Sequence, residues 1–302
     1  MNKITILDGG MGRQLKAIGA PFSQPLWSAQ ALIESPDHVT QVHQSFIDSG
    51  AEIIIANSYA CVPFHLGEAR FKAEGAQLAR KAAKIAQSVA QDTSVQVAGA
   101  IPPPFGSYRP DLFDTEEAVE IVNTLIDAQD PYVDLWLVET ICSIEEFDVI
   151  YQALHHSNKD SFYSFSLDDS HTDHANLRSG QSVQSAIEKV VQQNNVKGIL
   201  FNCSVPEVME QAVEVSKITI QKAKVDMQIG VYANNFMPIL TNHKANGTMQ
   251  PMRELSPEAY LTYAKRWYKA GASILGGCCG IGPAHIKALA EWKINYTLNI
   301  TD

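Results

Sequence analysis

Val133-Asp134-Leu135-Trp136-Leu137-Val138-Glu139 is followed, after a short break, by Ser143-Ile144-Glu145-Glu146-Phe147. The first run is almost continuously apolar, as in a strand covered on both faces. In the second, Ser143 and Glu146 have the spacing of a helix capping box. Behind them Phe147, Ile150, Tyr151 and Leu154 form one apolar stripe. A strand leads directly into a helix, and the same unit recurs on both sides. Runs of the first kind occupy Ile4–Leu7, Glu52–Ala56, Val95–Ala100, Phe162–Leu167, Val196–Asn202, Gln228–Ala233 and Ala272–Gly276. Between them lie helical patterns. Ser35-Pro36 precedes Val39, Val42 and Phe46, with Gly50 as the stop. Phe71, Leu78, Ala82, Ile85 and Val89 share a face. Asp114 and Glu117 have capping-box spacing, and Ser256-Pro257 opens a helix with Tyr260, Leu261, Ala264, Trp267 and Tyr268 inward, closed by Gly271.

Eight strand–helix units predict parallel strands with right-handed crossovers, an α/β fold of the (β/α)8 TIM barrel type in a single domain. A doubly wound open sheet is the alternative. It commonly has fewer strands, and Gly9, Gly10 and Gly12 do not fit its GxGxxG turn. The 302 residues suffice for one large core, and no linker or low-complexity tract divides them. Met237–Leu255, with Pro, Asn and Gly and no periodicity, reads as a long loop after the seventh strand. Lys+Arg number 23 against 33 Asp+Glu, a net charge of -10, which argues against nucleic acid and anionic membranes as partners. No apolar run has the length of a signal peptide core or a spanning helix, which predicts a cytoplasmic protein.

There are 5 cysteines, an odd and sparse set that favours metal binding, catalysis or core filling over a disulfide scaffold. Cys61 and Cys142 read as small core residues. Cys203 follows the strand Val196–Asn202, and Cys278-Cys279 follow the last strand within Gly276-Gly277-Cys278-Cys279-Gly280. Residues just past strand ends line the mouth of a barrel, so these three sulfurs can converge, and the glycines allow a tight turn at the adjacent pair. Three thiolates suit Zn²⁺ and leave a fourth position open. Such an ion holds a substrate thiol as thiolate, which points to alkylation of sulfur by a carbon electrophile. The bland alternatives are packing or a vicinal disulfide. A zinc hydrolase on the same barrel would use His and carboxylate ligands, often as His-x-His. That motif is absent, and His155-His156, His171 and His174 read as solvated.

Asn202-Cys203 and Gly276-Gly277-Cys278-Cys279 resemble the Asn-Cys and Gly-Gly-Cys-Cys elements of the homocysteine S-methyltransferase family. Leu7-Asp8-Gly9-Gly10-Met11-Gly12, Pro25-Leu26-Trp27-Ser28, Gly50-Ala51-Glu52-Ile53-Ile54 and Glu139-Thr140 are similar to further elements of it, closest to the branch that uses S-methylmethionine or S-adenosylmethionine. The resemblance implies residues 1–302 as one homocysteine-binding barrel domain that methylates L-homocysteine to methionine. It implies Cys203, Cys278 and Cys279 as zinc ligands, catalytic through the ion. Asp8 and Glu139 would hold the substrate amino group, with Gly9 nearby. Asn202 and Asn234 stand at strand ends as polar contacts to substrate or as turn residues. Tyr59, Phe105, Tyr108 and Phe236 are candidates to face a cationic donor, or core and lid residues.

Two loops depart from the family pattern. Ile101-Pro102-Pro103-Pro104-Phe105-Gly106 stands where Gly-Pro-Tyr-Gly is common, and Ala233-Asn234-Asn235-Phe236-Met237 where Pro-Asn-x-Gly-Glu is common. Both would face the second substrate, so they bear on the donor and not on thiol activation. Betaine is an alternative donor, and a non-catalytic zinc- or thiol-binding paralogue is an alternative function. A cobalamin or folate cycle would need further domains.

Overall fold

The computed structural model describes residues 3–170, 175–239 and 250–301. The apolar runs form eight strands: β1 Thr5–Ile6, β2 Ile53–Ile55, β3 Gln96–Ile101, β4 Leu135–Ile141, β5 Ser161–Phe165, β6 Val196–Asn202, β7 Gln228–Tyr232 and β8 Ile274–Leu275. All neighbours are parallel, in the order β1-β8-β7-β6-β5-β4-β3-β2. The two ends of that order meet. Leu7 bridges Ile53, Glu52 N–H donates to the Ile6 carbonyl (2.7 Å) and Asp8 N–H to the Ile53 carbonyl (3.0 Å). The sheet thus closes on itself as a (β/α)8 barrel.

Alternation along the strands separates two layers of core. Leu7, Ile53, Leu135, Leu137, Phe162, Leu200, Tyr232 and Ile274 pack together inside the barrel. The residues between them, among them Ile54, Trp136, Val138, Tyr163, Ile199 and Phe201, join the larger cluster under the helices. Both faces of each strand are therefore apolar, which is why the sequence shows runs and not alternation.

A helix follows every strand: Pro36–Asp48, Ala76–Ala90, Thr115–Gln129, Ile144–Leu154, Val183–Val190, Pro206–Ala223, Pro257–Ala270 and Pro283–Thr301. The Ser143–Glu146 capping box is complete. Asp114 accepts from the Glu116 and Glu117 amides, and Ser256 from that of Ala259. Ser35 departs from expectation. Its backbone lies outside the usual cap region and its hydroxyl pairs with His38 Nδ1 (2.6 Å). Phe71 belongs to a π-helical turn, Phe71–Gly75, that leads into Ala76–Ala90. Two short helices, Met11–Ala17 and Ala29–Glu34, fill the first strand-to-helix connection. Among the described residues no helix is long and apolar enough to cross a membrane.

Candidate active site

The barrel end at the C-terminal side of the strands holds a cavity of about 150 Å³. Cys203 is the first residue past β6, and its left-handed backbone (φ 49°) turns the chain there. Cys278 and Cys279 sit in a turn pinned from three sides. Gly277 N–H donates to the Asp8 carbonyl (3.0 Å), Cys278 N–H to that of Ala233 (2.9 Å), and Asn235 N–H to that of Cys279 (3.0 Å). Gly280 (φ 83°) completes the turn, where a side chain would strike Asn235. The three cysteine sulfurs lie within 4.8 Å of one another. Cys203 and Cys278 are joined as a disulfide, and Cys279 is a free thiol that burial pushes up to about 11 against the opposing pull of Arg13. Three sulfurs with no nitrogen or oxygen among them form a donor set for a soft cation once reduced.

Two carboxylates share the cavity. Asp8 leaves β1, and its Oδ2 accepts from the Ile55 amide (2.9 Å), while the buried Oδ1 has no partner among the described residues. Burial, and secondarily the charge of Glu139, raises its pKa well above the usual carboxylate range. Glu139 accepts from the Tyr232 hydroxyl (3.3 Å), and burial lifts it to about 7. Among the described residues neither group has a countercharge, which an ammonium ligand would supply.

Glu139 was expected at a strand end and lies instead inside β4, which continues to Ile141. The register with β5 shifts between Val138 and Ile141, and Thr140 has φ 59°. This irregularity turns the strand locally, as β-bulges do beside active sites. Asn202 holds it. Its Oδ1 accepts from the Thr140 amide (3.0 Å) and from Ser164 Oγ (2.8 Å), and its Nδ2 donates to Thr140 Oγ1 (2.9 Å). Asn202 lines the cavity, but its polar atoms serve the protein.

Gly9, Tyr59, Tyr108 and Phe236 also line the cavity. At Gly9 the Ile281 carbonyl and the Phe46 ring leave no room for a side chain. Tyr59 is fixed by a hydrogen bond to Ser107 Oγ (2.6 Å), and Phe236 is held by an antiparallel bridge to Met252. Two of the candidates lie off the cavity. Phe105 does not line the cavity, because its ring packs edge-on against Phe113 (6.0 Å). Nor does Asn234, whose Oδ1 turns back to accept from the Phe236 amide (3.1 Å) and so acts as a turn residue. Cys61 and Cys142 are buried away from the cavity. His155 and His156 are exposed at a helix end, and His171 and His174 lie outside the described residues, as do positions 240–249 of the loop after β7.

Sequence reasoning did not single out Tyr232 and Trp27, which line the cavity, or Arg13, which packs behind it. Tyr232 points inward by strand alternation and could have been found from the period of β7. Trp27 reaches the cavity through a connection with no periodicity, and Arg13 is placed by its contacts with Trp27 and Phe236.

The profile of the homocysteine S-methyltransferase family matches residues 5–292. Homocysteine S-methyltransferase 1 of Zea mays is 27% identical over 312 residues, covering 95% of this chain and 93% of that protein. Selenocysteine Se-methyltransferase of Brassica oleracea var. italica is 25% identical over 325 residues, covering 94% of this chain and 87% of that one. The crystal structure of homocysteine methyltransferase MmuM from Escherichia coli in its metallated form superposes with a TM-score of 0.77 at 25% identity, over 96% of each chain. A match over this span, on a barrel whose end gathers three cysteines and two carboxylates, shows that the chain belongs to the homocysteine S-methyltransferase family.

Proposed function

We propose that this protein transfers a methyl group from a sulfonium donor, S-methylmethionine or S-adenosylmethionine, to the thiol of L-homocysteine, with Cys203, Cys278 and Cys279 as ligands of a zinc ion. The observation that carries the reading is the gathering of three cysteine sulfurs within 4.8 Å beside two buried carboxylates with no countercharge among the described residues. Cys203, Cys278 and Cys279 would hold the zinc, and the chemistry it would supply there is deprotonation of a substrate thiol at neutral pH. The metallated form of MmuM supports a resident metal. Cys203 and Cys278 serve as ligands in their reduced, thiolate form.

The other residues bind and orient. Asp8 and Glu139 receive the acceptor's ammonium, and the Tyr232 hydroxyl holds Glu139 toward it. Tyr59, Tyr108 and Phe236 wall the cavity and keep water from the two reacting sulfurs. The acceptor sulfur attacks the donor methyl carbon in line as the donor's carbon–sulfur bond breaks. The bonding pair stays on the leaving sulfur and neutralises the sulfonium, so the departing sulfide needs no proton.

The test uses reduced, zinc-loaded protein with metal content measured on the same sample. It is incubated with homocysteine and, separately, methyl-labelled S-methylmethionine, S-adenosylmethionine, betaine or methylated folate. Labelled methionine from a sulfonium donor is the expected result. Full metal occupancy with no labelled methionine from any donor would refute catalysis and leave a binding protein. A selenol acceptor is a second reading, favoured by the Brassica relative, and selenocysteine as acceptor tests it.

A further inference from the structure

Three successive residues past β7 stand between the two segments that carry the cysteines. Cys278 N–H donates to the Ala233 carbonyl (2.9 Å), Asn234 N–H to the Ser204 carbonyl (3.1 Å), and Asn235 N–H to the Cys279 carbonyl (3.0 Å). Ser204 directly follows Cys203. The distance from Cys203 to the Cys278-Cys279 turn is therefore set through residues 233–235. Whatever fixes this short bridge fixes the sulfurs.

A side chain from the helix layer does so. β7 ends at Tyr232 and β8 at Leu275, so the sheet ladder stops short of Ala233 and Gly276. Tyr260, in the helix Pro257–Ala270, places its hydroxyl in that gap. The Ala233 amide donates to it (3.1 Å), and it donates to the Gly276 carbonyl (2.7 Å). One hydroxyl serves as acceptor and donor at once. It grips the bridge on one side and the chain two residues before Cys278 on the other. Tyr260 and Ala233 are fully buried, so these groups have no solvent to fall back on. The ring is held as well. Trp267 (5.5 Å) and His285 (5.8 Å) both pack against it edge-on. His285 is itself oriented, since Gly282 N–H donates to its Nδ1 (3.2 Å) and leaves Nε2 protonated to donate to the Leu255 carbonyl (2.8 Å).

Without the hydroxyl, the Ala233 amide and the Gly276 carbonyl would be left buried and unpaired. The nearest repair is for them to close on each other, which draws the turn toward residue 233 and changes its distance from Cys203. Zinc–sulfur bonds of about 2.3 Å tolerate displacements of only about 0.2 Å. We propose that Tyr260 is a positioning residue of the metal centre, whose hydroxyl sets the reach of Cys278 and Cys279 to Cys203. It does so from behind, since Tyr260 does not line the cavity. The inference rests on the zinc-ligand reading above.

The test compares reduced, metal-free wild type and Y260F by zinc competition with a chelating dye, by the visible spectrum after Co²⁺ loading, and by urea unfolding. Y260F should bind zinc about tenfold or more weakly, the loss that follows removal of a group supporting a metal ligand. It should also weaken and shift the visible bands of the Co²⁺ form, which report tetrahedral geometry. A hydroxyl that serves the fold alone would move neither readout in folded protein. Wild-type zinc affinity with an unchanged Co²⁺ spectrum in Y260F, whatever its unfolding curve, would overturn the proposal. If Y260F does not fold, hydrogen exchange on wild type decides. Coupling between two sites is reciprocal, so zinc should slow exchange of the Ala233 amide about tenfold or more beyond its effect on the amides of β3 and β4. Equal slowing there would remove Tyr260 from the metal centre. Wild type that takes up neither ion defeats the zinc-ligand reading and this proposal with it. A metal-binding wild type beside an indifferent Y260F defeats this proposal alone.

Discussion

Glu139 shows how burial turns a side chain into a titrating device. Its pKa of about 7 lies above the ordinary value of 4.5 because desolvation disfavours the charged form. A carboxyl raised on folding stabilises the ligand-free protein most below about pH 4.5, and that contribution is lost as pH rises through about 7. Urea unfolding of wild type and Glu139→Gln across this window should show wild type losing stability with pH relative to the variant; parallel curves would refute the assignment. Binding of an amino-acid acceptor should strengthen over the same interval in wild type and not in Glu139→Gln, since the ammonium pairs with the ionised form. At the sulfurs, Cys278→Ser should lower zinc affinity by more than about 100-fold, because loss of a ligand exceeds the cost of losing a residue that merely supports one. Metal analysis after dialysis reads this directly, and retained metal with retained activity would remove Cys278 from the ligand set.

The strand β4 places a left-handed threonine next to a cavity-lining carboxylate, and β6 supplies the side chain that makes this tolerable. A non-glycine residue at φ 59° costs about 1–3 kcal/mol and persists only where its surroundings enforce it. Asn202 makes three hydrogen bonds to Thr140 and Ser164, all buried. Asn202→Ala should lower unfolding stability by about 2–4 kcal/mol, at roughly 1 kcal/mol per bond plus the groups left unsatisfied. It should also raise the acceptor KM, since Glu139 is aimed by the same irregularity. Stability loss with an unchanged KM would show that the clamp supports the fold alone.

Across the molecule, a buried ion pair ties several loops at the active end. Arg178 donates to Asp169 Oδ2 (3.1 Å) and to the Ile239 carbonyl (2.7 Å), and Asp169 accepts from the Val205 (3.0 Å) and Ile239 (2.9 Å) amides. Arg178 also covers Tyr108, so the connections after β3, β5, β6 and β7 meet at this ion pair. Its side chain is 3% exposed and that of Asp169 0%. Arg178→Met should cost about 3–5 kcal/mol, the usual penalty for leaving one member of a buried pair. Hydrogen exchange should rise at Val205 and Ile239 before the strands respond; unchanged exchange there would refute the tie.

The barrel was legible in the chain because parallel strands buried on both faces must be written as apolar runs, and Val196–Asn202 is recovered residue for residue. Cys203, Cys278 and Cys279 were legible for a related reason: chemistry on this fold collects just past strand ends, and the order of strands follows from short right-handed connections. Local pattern reached no further. Asn202 as a clamp, Asn234 as a turn residue, Phe105 facing away and Arg13 between two rings all depend on which distant segments touch. Such contacts follow from closure of the sheet and packing of its loops, where side chains far apart along the chain compete for the same space and the same hydrogen bonds, and no short stretch of residues encodes the outcome.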